Sequence, residues 1–186
     1  MHIQHNLIFL AICTAITIFL QIFSSYFIYF VPELPQQFWR FWTGHWVHVS
    51  WIHWLFNWIA FACIPFIFFR HQIREFSSML LIFPIMISLM FYAFFGDVVA
   101  YAGLSGVLHA MYVALALMSL QHLKDRWFAL MVLLIVMAKV IWEQLYGDVG
   151  TAAMIGSEVL VDAHLVGVWC GVSYALCDLI YKKIKS

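Results

Sequence analysis

The chain has 186 residues, of which 66% are hydrophobic and 10% charged, and nine Lys and Arg residues balance nine Asp and Glu residues. Soluble domains are about half apolar and about a quarter charged, so a mean hydropathy of +0.96 excludes a soluble globular protein and indicates an integral membrane protein. A bilayer core about 30 Å thick needs about 20 apolar residues per helical span, which allows about six spans. We predict one transmembrane domain over residues 1–186, in contact with the lipid bilayer and with no nucleic-acid partner.

Six apolar segments predict an all-α, six-helix membrane bundle. In chain order the predicted spans cover about residues 7–30, 51–69, 76–95, 104–121, 127–145 and 159–181. The first segment is expected to be a retained helix, because its n-region MHIQHN lacks Lys and Arg and no small-residue cleavage site follows.

The basic residues predict the orientation of these spans. Seven of the nine lie in even-numbered connections or at the C-terminal end: Arg70, Arg74, Lys124, Arg126, Lys182, Lys183 and Lys185. Cytoplasmic loops of membrane proteins carry an excess of Lys and Arg, so both termini are expected in the cytoplasm. On the opposite side Arg40 is the one predicted surface cation among several acidic residues.

Three even-numbered spans carry polar residues near their outer ends. His53 and Asn57 lie near the start of the second span, Ser105 and His109 near the start of the fourth, and His164 near the start of the sixth. With a rise of 1.5 Å per residue, all five lie within about two helical turns of one membrane surface. Polar side chains within spans usually face a bundle interior or a water-filled cavity. We therefore predict one polar site shared by the three spans.

Small residues predict close packing of the fourth span against the sixth. Gly103 and Gly106 flank Ser105, and the sixth span carries a stripe formed by His164, Gly167 and Gly171. Missing side chains let two helix backbones approach closely, which would bring the Ser105 hydroxyl to the His164 imidazole as nucleophile and base. An oxyanion would then find donors in the backbone N–H at Ser105 and in two side chains of the second span, His53 and Asn57.

Four motifs follow one another along the chain: WRFWTGHWVH, His48-x4-His53-x3-Asn57, Gly103-Leu-Ser105-Gly106 and Ala163-His164-x2-Gly167-x3-Gly171. In this combination they resemble the rhomboid family of intramembrane serine proteases, and the six predicted spans cover the whole family core. The resemblance implies that Ser105 is the nucleophile and His164 its base, in a dyad with no third carboxylate. It also implies that His53 and Asn57 help to bind the oxyanion. Two further residues are implied to support the first loop, Arg40 and His48.

His109 stands where many rhomboids have a tyrosine, four residues after the serine. Together with GLSGVLHA and the AKVIWEQ stretch at residues 138–144, it makes the chain resemble the rhombosortase branch. That branch is associated with exported bacterial proteins whose C-terminal anchor has a Gly-Gly motif, an apolar helix and a basic tail. The resemblance implies a bacterial inner-membrane enzyme with its active site near the extracytoplasmic side. Its substrates are transmembrane proteins whose anchors enter between the second and fifth spans, and no metal or cofactor is expected.

Several other polar residues leave alternatives open. His109 is a second base, a packing partner of His164 or a plain hydrogen-bonding residue, and packing is the favoured interpretation. Lys139 and Glu143, four residues apart in the fifth span, either neutralise each other or act in gating or substrate recognition. His45 is expected in the interfacial belt, as are the tryptophans of QQFWRFWTGHW.

Other functions compete with the sorting protease. Within the family, the alternative is a general rhomboid protease for other single-span proteins; an inactive rhomboid-like chaperone is disfavoured because Ser105 and His164 are both present. From another class, a metal- or haem-binding or transport protein would use four histidines at the membrane edge: His48, His53, His109 and His164. The sequence has no HExxH motif, the intramembrane acids are not expected beside these histidines, and this function leaves Ser105 without a role.

Overall fold

The computed structural model of the chain describes residues 2–148 and 150–185. In chain order its elements are α1 (His2–Ile22), α2 (Ser24–Phe27), β1 (Tyr29–Phe30), α3 (Arg40–Thr43), α4 (Trp51–Ile67), α5 (Ile73–Phe94), β2 (Ala100–Tyr101), α6 (Ser105–Ser119), α7 (Arg126–Tyr146), α8 (Thr151–Ile155) and α9 (Val161–Lys185). A 3-10 turn, Val31–Glu33, follows β1. The predicted all-α architecture is confirmed, apart from the two-residue strands β1 and β2, which pair antiparallel.

Each predicted span overlaps one helix of at least 15 residues. Within the described ranges, four helices are long and apolar enough to cross a membrane: α1, α5, α7 and α9. The other two, α4 and α6, are apolar but have only 17 and 15 residues. At 1.5 Å per residue α6 is about 22 Å long, shorter than a hydrocarbon core of about 30 Å. Most of its residues are buried by other helices, so α6 does not need to match the bilayer thickness. The number of spans stays a prediction.

The first predicted span, residues 7–30, extends too far. α1 ends at Ile22, and the chain continues into α2 and β1, where Tyr29 lies opposite Tyr101 of β2. Backbone acceptors outside the helix find a partner in Arg40, which donates to the carbonyl groups of Ser25 and Ile28. Tyr29 of this segment is buried in protein, whereas Phe23 and Tyr26 are exposed on its surface. Hydropathy does not separate burial in protein from burial in lipid.

The predicted close packing of α6 against α9 is confirmed. A Cβ atom on Gly106 would lie 2.8 Å from the carbonyl oxygen of Ala163. A Cβ on Gly167 would overlap the carbonyl of Gly106, and one on Gly171 would overlap that of Ala110. The two backbones therefore touch, and the first turn of α6 lies beside the first turn of α9.

Basic residues cluster at the other end of the bundle. Asn6, near the start of α1, donates to the carbonyl of Pro65 near the end of α4. The cavities beside this contact are lined by a set of cationic and imidazole side chains that includes Arg70, His71, Arg74, His122 and Lys182. The start of α1 and the end of α9 therefore share one end of the molecule, opposite Ser105. Which side of the membrane this end faces stays a prediction.

Candidate active site

The turn before α6 presents Ser105 at the first position of the helix. Gly103 in this turn has a φ of +150°, and a Cβ there would lie 2.9 Å from Cε1 of His53. Glycine is therefore required both by the backbone conformation and by the available space. Ser105 is half-buried, and the N–H groups of the first helical turn have no acceptor within the helix. The serine thus lies at the positive end of the α6 dipole.

His164 meets Ser105 across the contact between α6 and α9. The Oγ atom of Ser105 lies 2.9 Å from Nε2 of His164, within hydrogen-bond distance. His164 is 3% exposed, because the adjoining helices cover its ring. A serine hydroxyl at this distance from an imidazole nitrogen is the arrangement required of a nucleophile and its general base.

Glu143 completes a line of three side chains. The Nδ1 atom of His164 lies 2.7 Å from Oε2 of Glu143, and Nζ of Lys139 donates to the other oxygen, Oε1, at 2.5 Å. Glu143 is only 2% exposed. The expectation that membrane-embedded acids lie apart from the histidines is therefore wrong. A carboxylate is present as a third side chain after Ser105 and His164, where the resemblance implied only a dyad. α7 runs opposite to α9, so its last turns lie level with the first turn of α9.

His109 packs on the face of the His164 imidazole. The two rings are stacked with their centroids 4.2 Å apart and their planes inclined by 19°. The Nδ1–H of His109 donates to the carbonyl oxygen of Ser105, one helical turn earlier, at 2.7 Å. Both contacts agree with the packing interpretation, because they fix the ring of His109 against that of His164.

His53 and Asn57 face the same cavity as Ser105 and His164. The cavity has a volume of about 410 Å³ and is lined by side chains of α4, α6, α7, α8 and α9, which include the charged pair Lys139 and Glu143 beside apolar residues. Asn57 donates one amide N–H to the carbonyl of His53, one turn earlier in α4, at 3.2 Å. Nδ1 of His53 is buried and has no hydrogen-bond partner among the described residues. The second amide N–H of Asn57 therefore remains for a ligand in this cavity.

His48 connects the first loop to the turn before Ser105. Its Nε2 accepts from the backbone N–H of Leu104 at 3.3 Å, while its own backbone N–H donates to Oε1 of Gln21 at 2.7 Å. Gln21 Nε2 returns a hydrogen bond to the carbonyl of His48 at 2.8 Å. Burial, with a smaller contribution from His53, lowers the pKa of His48 to about 3, so the ring is neutral and able to accept. His48 is thus a structural support for the serine turn.

Arg40 and His45 are buried, contrary to their predicted places at the surface. Arg40 is 3% exposed and pairs with Glu33, and it also donates to Oε1 of Gln37 at 2.8 Å. His45 is fully buried with Nε2 2.9 Å from Oγ of Ser88, and burial lowers its pKa to about 3. The first loop folds onto α5, which composition alone does not reveal.

Three of these side chains form a group that could hold a metal ion. His109, Glu143 and His164 each offer one ligand atom, and these atoms lie within 4.8 Å of one another. The ammonium group of Lys139 is bonded to Glu143 and lies 3.4 Å from Nδ1 of His164, so it would repel a cation there. Among the residues that the structure describes, His48 and His53 do not belong to this group, so the four histidines do not form one ligand shell. The donors and acceptors fit a hydrogen-bonded line better than a metal centre.

Comparison with known proteins adds one finding. A family model for the rhomboid domain matches residues 35–181, from the first loop to the last long helix. The matched stretch contains each of the motifs that carry the resemblance, including both glycines beside Ser105 and the glycine stripe of α9. No curated protein sequence matches the chain.

Proposed function

Because the chain belongs to the rhomboid family of intramembrane serine proteases, we propose that Ser105 is its nucleophile and His164 its general base. The observation that carries this proposal is the 2.9 Å contact between Ser105 Oγ and His164 Nε2 in a cavity open to a ligand. The metal-binding alternative would leave this contact without a purpose.

The reaction follows from the positions of these two groups. As Ser105 Oγ bonds to the substrate carbonyl carbon, its proton passes to Nε2 of His164. The peptide C–N bond then breaks, and the same proton passes from Nε2 to the leaving amine. Water attacks the resulting acyl-enzyme in hydrolysis, whereas an amine acceptor in its place would make the reaction a transfer.

Oxyanion binding is assigned to the start of α6 and to α4. The backbone N–H of Ser105 lies at the positive end of a helix dipole, where developing negative charge is stabilised. The imidazole of His53 and the free amide N–H of Asn57 supply further donors. Support comes from their lining the cavity that contains Ser105.

A transmembrane anchor enters, in this proposal, between α4 and α7. The cavity continues from Ser105 along apolar side chains of both helices, Phe56 and Ala60 on α4, and Val132, Ile135 and Val136 on α7. The enzyme is a six-span protein of the bacterial inner membrane with both termini in the cytoplasm. The clustering of basic residues opposite Ser105 supports an active site near the extracytoplasmic surface.

The substrate we propose is a C-terminal sorting anchor with a Gly-Gly segment at its outer end. Ser105 is the first residue of α6, so it reaches substrate backbone that has left its own helix near the membrane surface. Glycine weakens a helix by about 1 kcal/mol relative to alanine, so two glycines ease unwinding by about 2 kcal/mol. The ring of His109 stacked on His164 narrows the site and favours residues without side chains.

Cleavage of a membrane reporter tests the dyad. Ser105→Ala and His164→Ala are each expected to abolish cleavage of a Gly-Gly anchor while the protein remains inserted, since removing one member of a cooperating pair costs nearly as much as removing both. A fluorophosphonate probe is expected to label the wild type and not Ser105→Ala. Near-normal turnover by Ser105→Ala would refute the protease assignment, as would stoichiometric metal or haem in a purified protein that no probe labels.

Paired reporters test the substrate class. A Leu-Leu anchor is expected to be cut far less than its Gly-Gly counterpart, whereas substitutions deep in the anchor change little, because only the unwound stretch reaches Ser105. The measurement is the cleaved fraction in membranes, with Ser105→Ala as the blank. Equal cutting of both anchors would leave a general rhomboid protease.

A further inference from the structure

We propose that Glu143 is a positioning residue for His164, so that the enzyme works with a Ser105–His164–Glu143 triad in place of a dyad. The inference rests on the proposed function and adds a role for the last turns of α7. Its basis is the pair of contacts on the two nitrogens of His164, 2.9 Å from Nε2 to Ser105 and 2.7 Å from Nδ1 to Glu143.

The carboxylate decides which imidazole nitrogen carries the proton. An ionised carboxylate has no proton to donate, so Nδ1–H donates to Oε2 of Glu143. Nε2 is then left with its lone pair free, directed at the hydroxyl of Ser105. This is the tautomer that a general base needs, and the negative charge of Glu143 also stabilises the imidazolium formed when the serine proton arrives. Glu143 itself neither gains nor loses a proton.

The contact with Lys139 accounts for an ionised carboxylate inside an apolar helix. A buried charge is costly unless it is paired and hydrogen-bonded, and acids are rare within membrane spans for this reason. Each oxygen of Glu143 has its own partner, Oε1 the ammonium of Lys139 and Oε2 the imidazole of His164. The Lys139 side chain is 38% exposed, so its charge remains partly solvated while that of Glu143 is enclosed. The ion pair therefore keeps the carboxylate charged.

A purely structural role for Glu143 makes a different prediction. If Glu143 only neutralises Lys139, as i and i+4 partners on one helix often do, replacing both residues by apolar ones removes the need for either. Replacing a complete buried ion pair by apolar side chains of similar volume is often neutral or stabilising. A positioning role requires instead that activity stay low after such a double replacement.

The experiment combines three variants with two readouts. Glu143→Gln keeps the size and an oxygen acceptor but loses the charge, Lys139→Met removes only the partner, and Lys139→Met/Glu143→Met removes the pair. Glu75→Gln, beside His71 at the other end of the bundle, is the matched control. The readouts are kcat and KM on the Gly-Gly reporter, and the rate of labelling of Ser105 by a fluorophosphonate, which needs no natural substrate. Thermal unfolding in detergent reports the folding of each variant.

Glu143→Gln is expected to lower kcat and the labelling rate by about 10²–10⁴, with KM changed less than threefold, as loss of the triad carboxylate does in other serine enzymes. The double variant is expected to unfold near the wild-type temperature and to stay as slow as Glu143→Gln. Lys139→Met is expected to lower kcat less than Glu143→Gln does, because the carboxylate keeps its contact with His164, and Glu75→Gln is expected to stay within twofold of wild type.

Two results would overturn the proposal: a Glu143→Gln variant within threefold of the wild-type kcat, or a double variant that recovers wild-type kcat. Each decides the question even if the other variant fails to fold. Absence of both cleavage and labelling in the wild type would be a different failure, because it would count against the proposed function.

Discussion

Two clusters of the same three residue types lie at opposite ends of α6. At its first residue, Ser105 contacts His164, which contacts Glu143. At its last residue, the Oγ atom of Ser119 lies 3.1 Å from Nε2 of His71, whose Nδ1 lies 3.3 Å from Glu75. The two serines are about 21 Å apart along the helix at 1.5 Å per residue. Both clusters border a cavity, of about 410 and 270 Å³.

The two clusters lie at opposite poles of the α6 helix dipole and therefore differ in their electrostatic surroundings. Ser105 lies where free N–H groups and partial positive charge would stabilise an oxyanion, whereas Ser119 lies among the last carbonyl groups of α6, which would repel one. Arg70, which lines the same cavity as Ser119, is already paired with Asp125. We therefore expect that a serine, a histidine and a carboxylate in line are not sufficient for acyl transfer, and that the end of the helix on which they lie decides whether negative charge can develop.

The second cluster has a structural explanation. Glu75 accepts from the backbone N–H of Gln72 at 2.7 Å and forms part of the capping box that starts α5. Burial lowers the pKa of His71, which the carboxylate of Glu75 only partly offsets, so the ring is neutral. His71 thus joins the start of α5 to the end of α6, and the cluster fastens helix ends together.

Among the predictions that test this comparison, the largest expected change in kcat is that of Asn57→Ala. Asn57 is a proposed oxyanion donor in the cavity at the Ser105 end. Asn57→Ala is expected to lower kcat by about 10²–10³, as loss of one preorganised donor does elsewhere, with a smaller change in KM. Asn57→Asp, which keeps the shape but has no donor when ionised, should fall equally low. Asn6→Ala at the basic end is the control and should keep the wild-type kcat. A change confined to KM would make Asn57 a substrate-binding residue.

Much of the Ser105 cluster is predictable from the sequence because its evidence is local. Gly103 and Gly106 mark a tight turn and a close backbone approach, and the glycine stripe of α9 marks the surface that receives it. Polar residues near the starts of the second, fourth and sixth predicted spans then identify a shared site. Ser105 and His164 lie together as this pattern predicts.

Glu143 was missed because its role depends on how α7 is rotated about its axis. Its spacing from Lys139 predicts the ion pair, which is present at 2.5 Å, and that partner is a sufficient explanation for a carboxylate in an apolar span. The usable signal in the sequence was an acid inside an apolar span: such a carboxylate needs partners for both oxygens, and Lys139 supplies only one. The ends of the first span and the burial of His45 were missed for a related reason, since composition does not report which apolar surface covers a segment.

A second prediction tests whether the backbone contact between α6 and α9 sets the geometry of the Ser105 end. Gly167→Ala would drive a Cβ into the carbonyl of Gly106, so we expect a loss of about 1–3 kcal/mol in stability, as for other overpacked sites, together with reduced kcat. Gly96→Ala is the matched control, because nothing lies within 4 Å of a Cβ there. Thermal unfolding and reporter cleavage measure both effects. Equal behaviour of the two variants would mean that the contact tolerates displacement without moving the dyad.

The smallest expected effect is that of Ser119→Ala, and it bears most directly on the comparison. The change removes the hydroxyl next to Nε2 of His71, which costs about 1 kcal/mol of stability, the usual value of one hydrogen bond. Cleavage of the Gly-Gly reporter should stay within twofold of wild type, because carbonyl groups at the end of α6 give Ser119 no means to stabilise an oxyanion. Fluorophosphonate labelling of the Ser105→Ala variant gives the complementary measurement, since any label found on Ser119 would show that the second cluster is also an activated serine. In that case the position of a serine on the helix dipole would not be what distinguishes the two ends. A tenfold loss of cleavage in Ser119→Ala without a change in thermal unfolding would contradict the purely structural role of the second cluster.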